Sequence, residues 1–190
     1  MKIIIDIYKD RVWGKNVLTK AEMVAFVKES FRVVKIQPKQ VFLNVSFVGS
    51  EEMIQYNYKY RGKNAVTNVL SFANKNYMKD LIRDQSKHTI IANNKESKNK
   101  KKNKKNELWD AKMMYKIGLM PLGDMILCYE KIEEEARQFD KTFYNRLAHL
   151  FVHSVLHLIG YDHMQYDERK IMEKLEEQIL AKFGIINIYN

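Results

Sequence analysis

The chain has 190 residues, of which 46% are hydrophobic and 12% aromatic, enough for the core of one ordinary domain; wholesale disorder is excluded. Its single cysteine, Cys128, excludes an internal disulfide and a multi-cysteine zinc cluster and suits a reducing compartment. The formal net charge of +10 is unevenly spread: residues 74–120 hold 13 Lys/Arg against 5 Asp/Glu, a net of +8, which leaves +2 for everything else.

In chain order, Lys2 to Tyr8 is a β-branched run and is expected to be a strand. Thr19 and Glu22 form a capping-box pair opening an amphipathic helix, with Met23, Phe26, Val27, Phe31 and Val34 on its apolar face and Pro38 beyond its end. Gln40 to Val48 alternates as a strand does. Ser50 is the expected cap of a short helix running toward Tyr60, with Glu51 and Glu52 suited to its positive end. Two further strands are expected over 68–72 and 124–129, on either side of the basic stretch.

Three helices follow: 131–139, a strongly apolar one from a Thr142 cap to Ile159, and one capped by Asp167. The last carries Ile171, Met172, Leu175, Ile179 and Leu180 as its packing stripe and stops at Gly184. The order βαβαββααα predicts a single α+β domain over 1–190, with a small four-stranded mixed sheet covered by helices. Residues 74–119 read as a basic insertion. Within it, residues 93–106 hold seven Lys, one Glu and no hydrophobic residue, so a flexible loop is expected. Such a run attracts RNA phosphates without reading sequence, so nonspecific affinity is the most it would add.

No apolar run approaches the roughly 20 residues of a membrane span. The longest, 147–161, contains three histidines, and Asp6 arrives too early for a secretory apolar segment. The expectation is a soluble, cytoplasmic protein.

The chemistry is concentrated in residues 153–163. His153 and His157, four apart on a helix, share one face. Gly160 can end that helix in the left-handed conformation and let His163 fold back as a third ligand. Three neutral nitrogens leave one tetrahedral position open, as a catalytic zinc site requires. A metal in such a site lowers the pKa of water toward about 7. His149 lies two turns from His157 and is expected to pack or to support a ligand. His88 falls in the basic stretch and is expected to do neither. A zincin protease has Glu directly after the first histidine, and here that position is Ser154, so peptide hydrolysis by that route lacks its base.

The block HSVLHLIGYDH (153–163) is similar to the H-G-x-L-H-L-x-G-Y-D-H of the YbeY family of bacterial single-strand-specific endoribonucleases, or rRNA maturation factors. Tyr58-Lys59-Tyr60-Arg61-Gly62-Lys63, then Thr67 to Phe72, then Leu122-Gly123-Asp124, resemble further family blocks in the family's order. The resemblance implies that His153, His157 and His163 ligate one Zn(2+) ion per chain. It also implies that Arg61 is the basic residue facing substrate, a role a bidentate guanidinium suits. Single-stranded RNA, rRNA and the ribosomal small subunit are the implied partners, with maturation of the small-subunit rRNA 3′ end and ribosome quality control as the setting; neither membrane nor DNA is expected. Ser154 for glycine, and Val66 and Ala73 for prolines, depart from the family pattern, and the long basic insertion has no counterpart in its short members.

Two other functions compete. A non-catalytic ribosome-assembly RNA-binding protein would hold a structural zinc closed by a fourth side chain. A zinc-dependent hydrolase of peptides or small molecules would need a base from elsewhere, such as Asp162 or Asp124.

Overall fold

The β-branched opening forms strand β1 (Lys2–Lys9), which leads through a single 3-10 turn at Arg11–Trp13 into helix α1 (Lys20–Val33). The computed structural model describes residues 1–15, 17–74 and 118–189. Strand β2 (Gln40–Val48), helix α2 (Ser50–Arg61), strand β3 (Val69–Ala73) and strand β4 (Leu119–Cys128) follow. Helices α3 (Tyr129–Gln138), α4 (Phe143–Ile159) and α5 (Tyr166–Ala181) complete the described chain. The fold is α+β, with one four-stranded mixed sheet in the order β1-β2-β4-β3. β1, β2 and β4 run parallel, and β3 pairs antiparallel with β4.

The capping box forms as expected: Thr19 N–H donates to Glu22 Oε2 at 2.7 Å, and Glu22 N–H donates to Thr19 Oγ1 at 3.2 Å. α1 ends before Pro38, with Lys35 at positive φ, and Val34 already outside the helix. Two caps differ from expectation. Gly49 holds the cap position of α2, because Ser50 Oγ instead donates across to Glu130 Oε2 at 3.1 Å, in the first turn of α3. Gln165 caps α5 through a reciprocal pair with Glu168, which leaves Asp167 in the first turn, beside the positive end of the helix.

The sheet is covered on both faces. One core gathers Ile5, Val45, Leu127, Phe26, Phe151 and Ile179 between the sheet and helices α1, α4 and α5. A smaller one joins Met53 of α2 to Leu70, Ile126 and Cys128 on the opposite face. Eleven of the 17 residues of α4 are buried, so this helix is apolar nearly all round and sits at the centre. Ile171, expected in the stripe of α5, is exposed, and the buried stripe runs instead through Met172, Glu176, Ile179 and Leu180.

The Leu122-Gly123-Asp124 block has a backbone explanation. Phe42 pairs with Pro121 and Leu43 with Gly123, so Leu122 is an extra residue, a bulge that moves the inward-facing positions of β4 from 120 and 122 to 125 and 127. Gly123 has φ 133°, and any Cβ there would collide with the carbonyl of Phe72 on the neighbouring strand. The expected insertion leaves the sheet after Ala73 and returns at Leu119, between two strands that pair with one another. Residues 75–117, including the run 93–106 and His88, lie outside the described residues.

Candidate metal centre

Helix α4 places His153 and His157 one turn apart, with ring centroids 4.5 Å apart and Nε2 atoms 3.0 Å apart. Gly160, at φ 113°, ends the helix; its N–H and that of Tyr161 both reach back to the Leu156 carbonyl at 3.0 Å. The chain then doubles back. Asp162 Oδ1 accepts the backbone N–H of His163 at 2.8 Å, and the His163 ring comes to 5.2 Å from that of His153 and 4.9 Å from that of His157. One ring nitrogen from each of the three lies within 4.8 Å of the others.

Hydrogen bonds behind the rings set two of the tautomers. His153 Nδ1–H donates to Glu176 Oε1 at 2.8 Å, and His157 Nδ1–H donates to the Tyr161 carbonyl at 2.9 Å. Each ring turns its Nδ1–H to a partner behind it, so the two Nε2 atoms face each other. Burial, and next to it the neighbouring His153, push the pKa of His157 down to about 4, so this ring is neutral at neutral pH. Opposed lone pairs repel unless a proton or a metal cation sits between them. A tetrahedral zinc with Zn–N bonds of about 2.0–2.1 Å separates its nitrogens by about 3.3 Å, close to the 3.0 Å between the Nε2 atoms of His153 and His157. The donor set fits a borderline-soft divalent cation. Among the described residues no fourth side chain joins the group. Cys128 is buried in the smaller core, beside Ser50 and Glu130.

Glu176 is fully buried and carries three donors. Besides His153, its Oε2 accepts His149 Nε2–H at 2.9 Å and the hydroxyl of Tyr189. Burial raises its pKa, but the bonds from His149 and His153 outweigh that and hold it at about 2. His149 is no ligand. Its Nδ1 faces Arg146 Nη1 at 3.2 Å, and since a guanidinium only donates, Nδ1 accepts and Nε2 carries the proton. Arg146 in turn donates to Glu135 at 2.6 Å, as Asn68 Nδ2 does at 3.0 Å. The polar chain Asn68–Glu135–Arg146–His149–Glu176–His153 thus connects the start of β3 to the candidate metal centre.

Beside His153 and His163 opens a cleft of about 270 Å³, with Asn68, Arg146, Arg169 and Tyr189 on its walls. Arg61 is not among its lining residues; it is exposed in the last turn of α2, in the stretch that leads to Asn68. Ser154 does not reach the cleft either, being wholly buried with its hydroxyl unpartnered. Asp162 serves the backbone of the bend rather than a histidine ring, and Asp124 lies mid-strand, accepting Asn44 Nδ2 at 2.7 Å. Glu176 escaped the sequence reading although a signal existed. It lies four residues after Met172 and three before Ile179, an acid on an apolar stripe.

The family model described as Endoribonuclease YbeY matches residues 9–184. The Endoribonuclease YbeY of Buchnera aphidicola subsp. Schizaphis graminum is 34% identical over 179 residues, covering 94% of this chain and 87% of the relative. That of Acinetobacter baumannii is 31% identical over 190 residues, covering 100% and 99%. A solution structure of a Thermotoga maritima protein aligns with a TM-score of 0.49 at 20% identity, covering 95% of this chain and 92% of the other.

Proposed function

The chain belongs to the YbeY endoribonuclease family, and from that premise we propose that it is a metal-dependent endoribonuclease cleaving single-stranded RNA. Its setting is maturation of the small-subunit rRNA 3′ end and ribosome quality control in the cytoplasm, and its partners are rRNA and the small subunit. The whole of 1–190 acts as one domain, with 74–119 as a basic insertion. The supporting observation is the pair of facing Nε2 atoms of His153 and His157, with His163 folded over them.

His153, His157 and His163 would hold one Zn(2+) ion, which when bound supplies Lewis acidity beside a scissile phosphodiester. The protein's own side chains do the rest. Glu176 and the Tyr161 carbonyl hold the first two rings in the tautomer that presents Nε2. Arg61, exposed in the last turn of α2 and outside the cleft lining, grips phosphate oxygens of RNA that extends from the cleft past α2, in a bidentate manner. Arg169, ion-paired with Glu173 at 3.2 Å, brings a second guanidinium to the cleft wall.

The test is cleavage of a single-stranded RNA by highly purified protein, with and without chelator, beside His157→Ala and Arg61→Ala. Cleavage lost on chelation and in both variants is expected. Undiminished cleavage by His157→Ala would overturn the proposal. Mapping the product ends identifies the nucleophile: a 2′,3′-cyclic phosphate implicates the ribose hydroxyl, a linear phosphate implicates water.

A further inference from the structure

The three donors on Glu176 are arranged unequally. Oε1 takes only His153, whereas Oε2 takes both His149 and Tyr189. A carboxylate held at one oxygen can pivot about its own bond; one gripped from two directions at Oε2 cannot, and Oε1 is then aimed at His153. The second grip comes from the segment after α5. There the Tyr189 ring stands edge-on to His149, with centroids 5.1 Å apart, and Lys141 Nζ, from the turn before α4, donates to the Asn187 carbonyl at 2.6 Å. Burial, and then the neighbouring Glu176, raise the pKa of Tyr189, so its hydroxyl stays protonated and donates.

We propose that Glu176 is the positioning residue of the metal centre and that Tyr189 acts through it, so that residues 182–189 set the affinity of a cation they do not touch. This rests on the reading of His153, His157 and His163 as ligands. An anionic partner on Nδ1–H makes Nε2 of His153 a stronger donor and keeps the ring from turning. An unpaired buried carboxylate is costly; here it persists because His149, His153 and Tyr189 satisfy it together.

The experiment is a Co(II) titration of the full chain followed by visible absorption, with the thermal midpoint of each metal-free variant measured alongside. Wild-type protein is expected to take up one ion per chain, and His157→Ala to lose tight uptake. Glu176→Gln keeps the shape but not the charge, and is expected to weaken binding by about 10–100-fold and to shift the visible bands at saturation. Tyr189→Phe removes one hydroxyl while keeping the ring, and is expected to weaken binding by about threefold. Because Tyr189 acts through Glu176, the double variant should bind no worse than Glu176→Gln alone.

Should His157→Ala lose uptake while Glu176→Gln and Tyr189→Phe bind as wild type, the inference falls and the ligand reading stands. A lowered midpoint in those variants with unchanged affinity and bands would show a merely structural role and would also overturn it. If the losses of Glu176→Gln and Tyr189→Phe add in the double variant, Tyr189 does not act through the carboxylate. If wild-type protein takes up no Co(II), it is the ligand reading itself that fails.

Discussion

The Nε2 atoms of His153 and His157 face each other at 3.0 Å, while both Nδ1–H groups are spent on partners behind the rings. That relationship turns two helix residues into a pair of converging donors, and the bend at Gly160 to Asp162 supplies the third. The bend is the part of the centre that backbone packing does least to hold, since His163 is exposed. His163→Ala should therefore leave the thermal midpoint of the metal-free protein nearly unchanged. It should weaken metal binding by about a hundredfold to ten-thousandfold, taking the ~10–16 kcal/mol of a zinc site as shared among three or four ligands. Competition with a chromophoric chelator measures it; a variant binding as wild type would remove His163 from the ligand set.

Ser154 is a buried hydroxyl with no hydrogen-bond partner, in a helix whose surroundings are apolar. Removing an unsatisfied polar group costs nothing in hydrogen bonding, and alanine is the better helix former. Ser154→Ala is expected to raise stability by about 1 kcal/mol without altering metal content. Urea unfolding checks this, and a clear destabilisation would mean that the hydroxyl is satisfied in solution.

Much of this was legible in the sequence, and the exceptions have physical causes. The capping box of α1, the apolar run of α4 and the H-x3-H-x5-H spacing are local patterns, and the structure forms the first two as the residues dictate. Ser50 and Asp167 misled because a cap depends on what the side chain can reach, and Glu130 offers Ser50 a better partner. Glu176 and Tyr189 were missed because their role exists only once α4, α5 and the segment beyond α5 are packed together. The exposure of Arg61 away from the cleft walls is likewise invisible to motif spacing.

At Gly123 the positive φ and the Phe72 carbonyl act together. Gly123→Ala must strain the backbone and push β3 from β4, at a cost of at least about 2 kcal/mol. Thermal unfolding gives the number, and a neutral effect would show that the bulge at Leu122 is not fixed.

Thr19 and Glu22 tie the start of α1 together, and Tyr144, in the first turn of α4, donates to Glu22 Oε1 at 2.8 Å. Thr19→Ala should cost about 1 kcal/mol. The Thr19 hydroxyl, against the opposing effect of burial, holds the pKa of Glu22 below its ordinary 4.5. A depressed carboxylate stabilises the fold above its unfolded value, so this contribution is present above about pH 4.5 and is lost as pH falls through the lower folded value. Glu22→Gln should flatten the stability profile in that acidic window alone; an unchanged profile would contradict the assignment.

The stretch 74–118, expected to be a basic insertion, joins strands that pair directly, with Ala73 opposite Gly123. Replacing 75–117 by a short Gly/Asn turn should therefore preserve folding and metal content. Removal of so many lysines should make the salt dependence of RNA binding shallower. Fluorescence anisotropy across a salt series measures the slope, and an unchanged slope would mean that the phosphates are held elsewhere.

The most direct measurement of the whole account is the zinc-edge X-ray absorption fine structure of the zinc-loaded chain. Three imidazole nitrogens and one exchangeable oxygen at about 2.0–2.1 Å are predicted. A sulfur shell near 2.3 Å, or a fourth side-chain ligand closing the site, would contradict it.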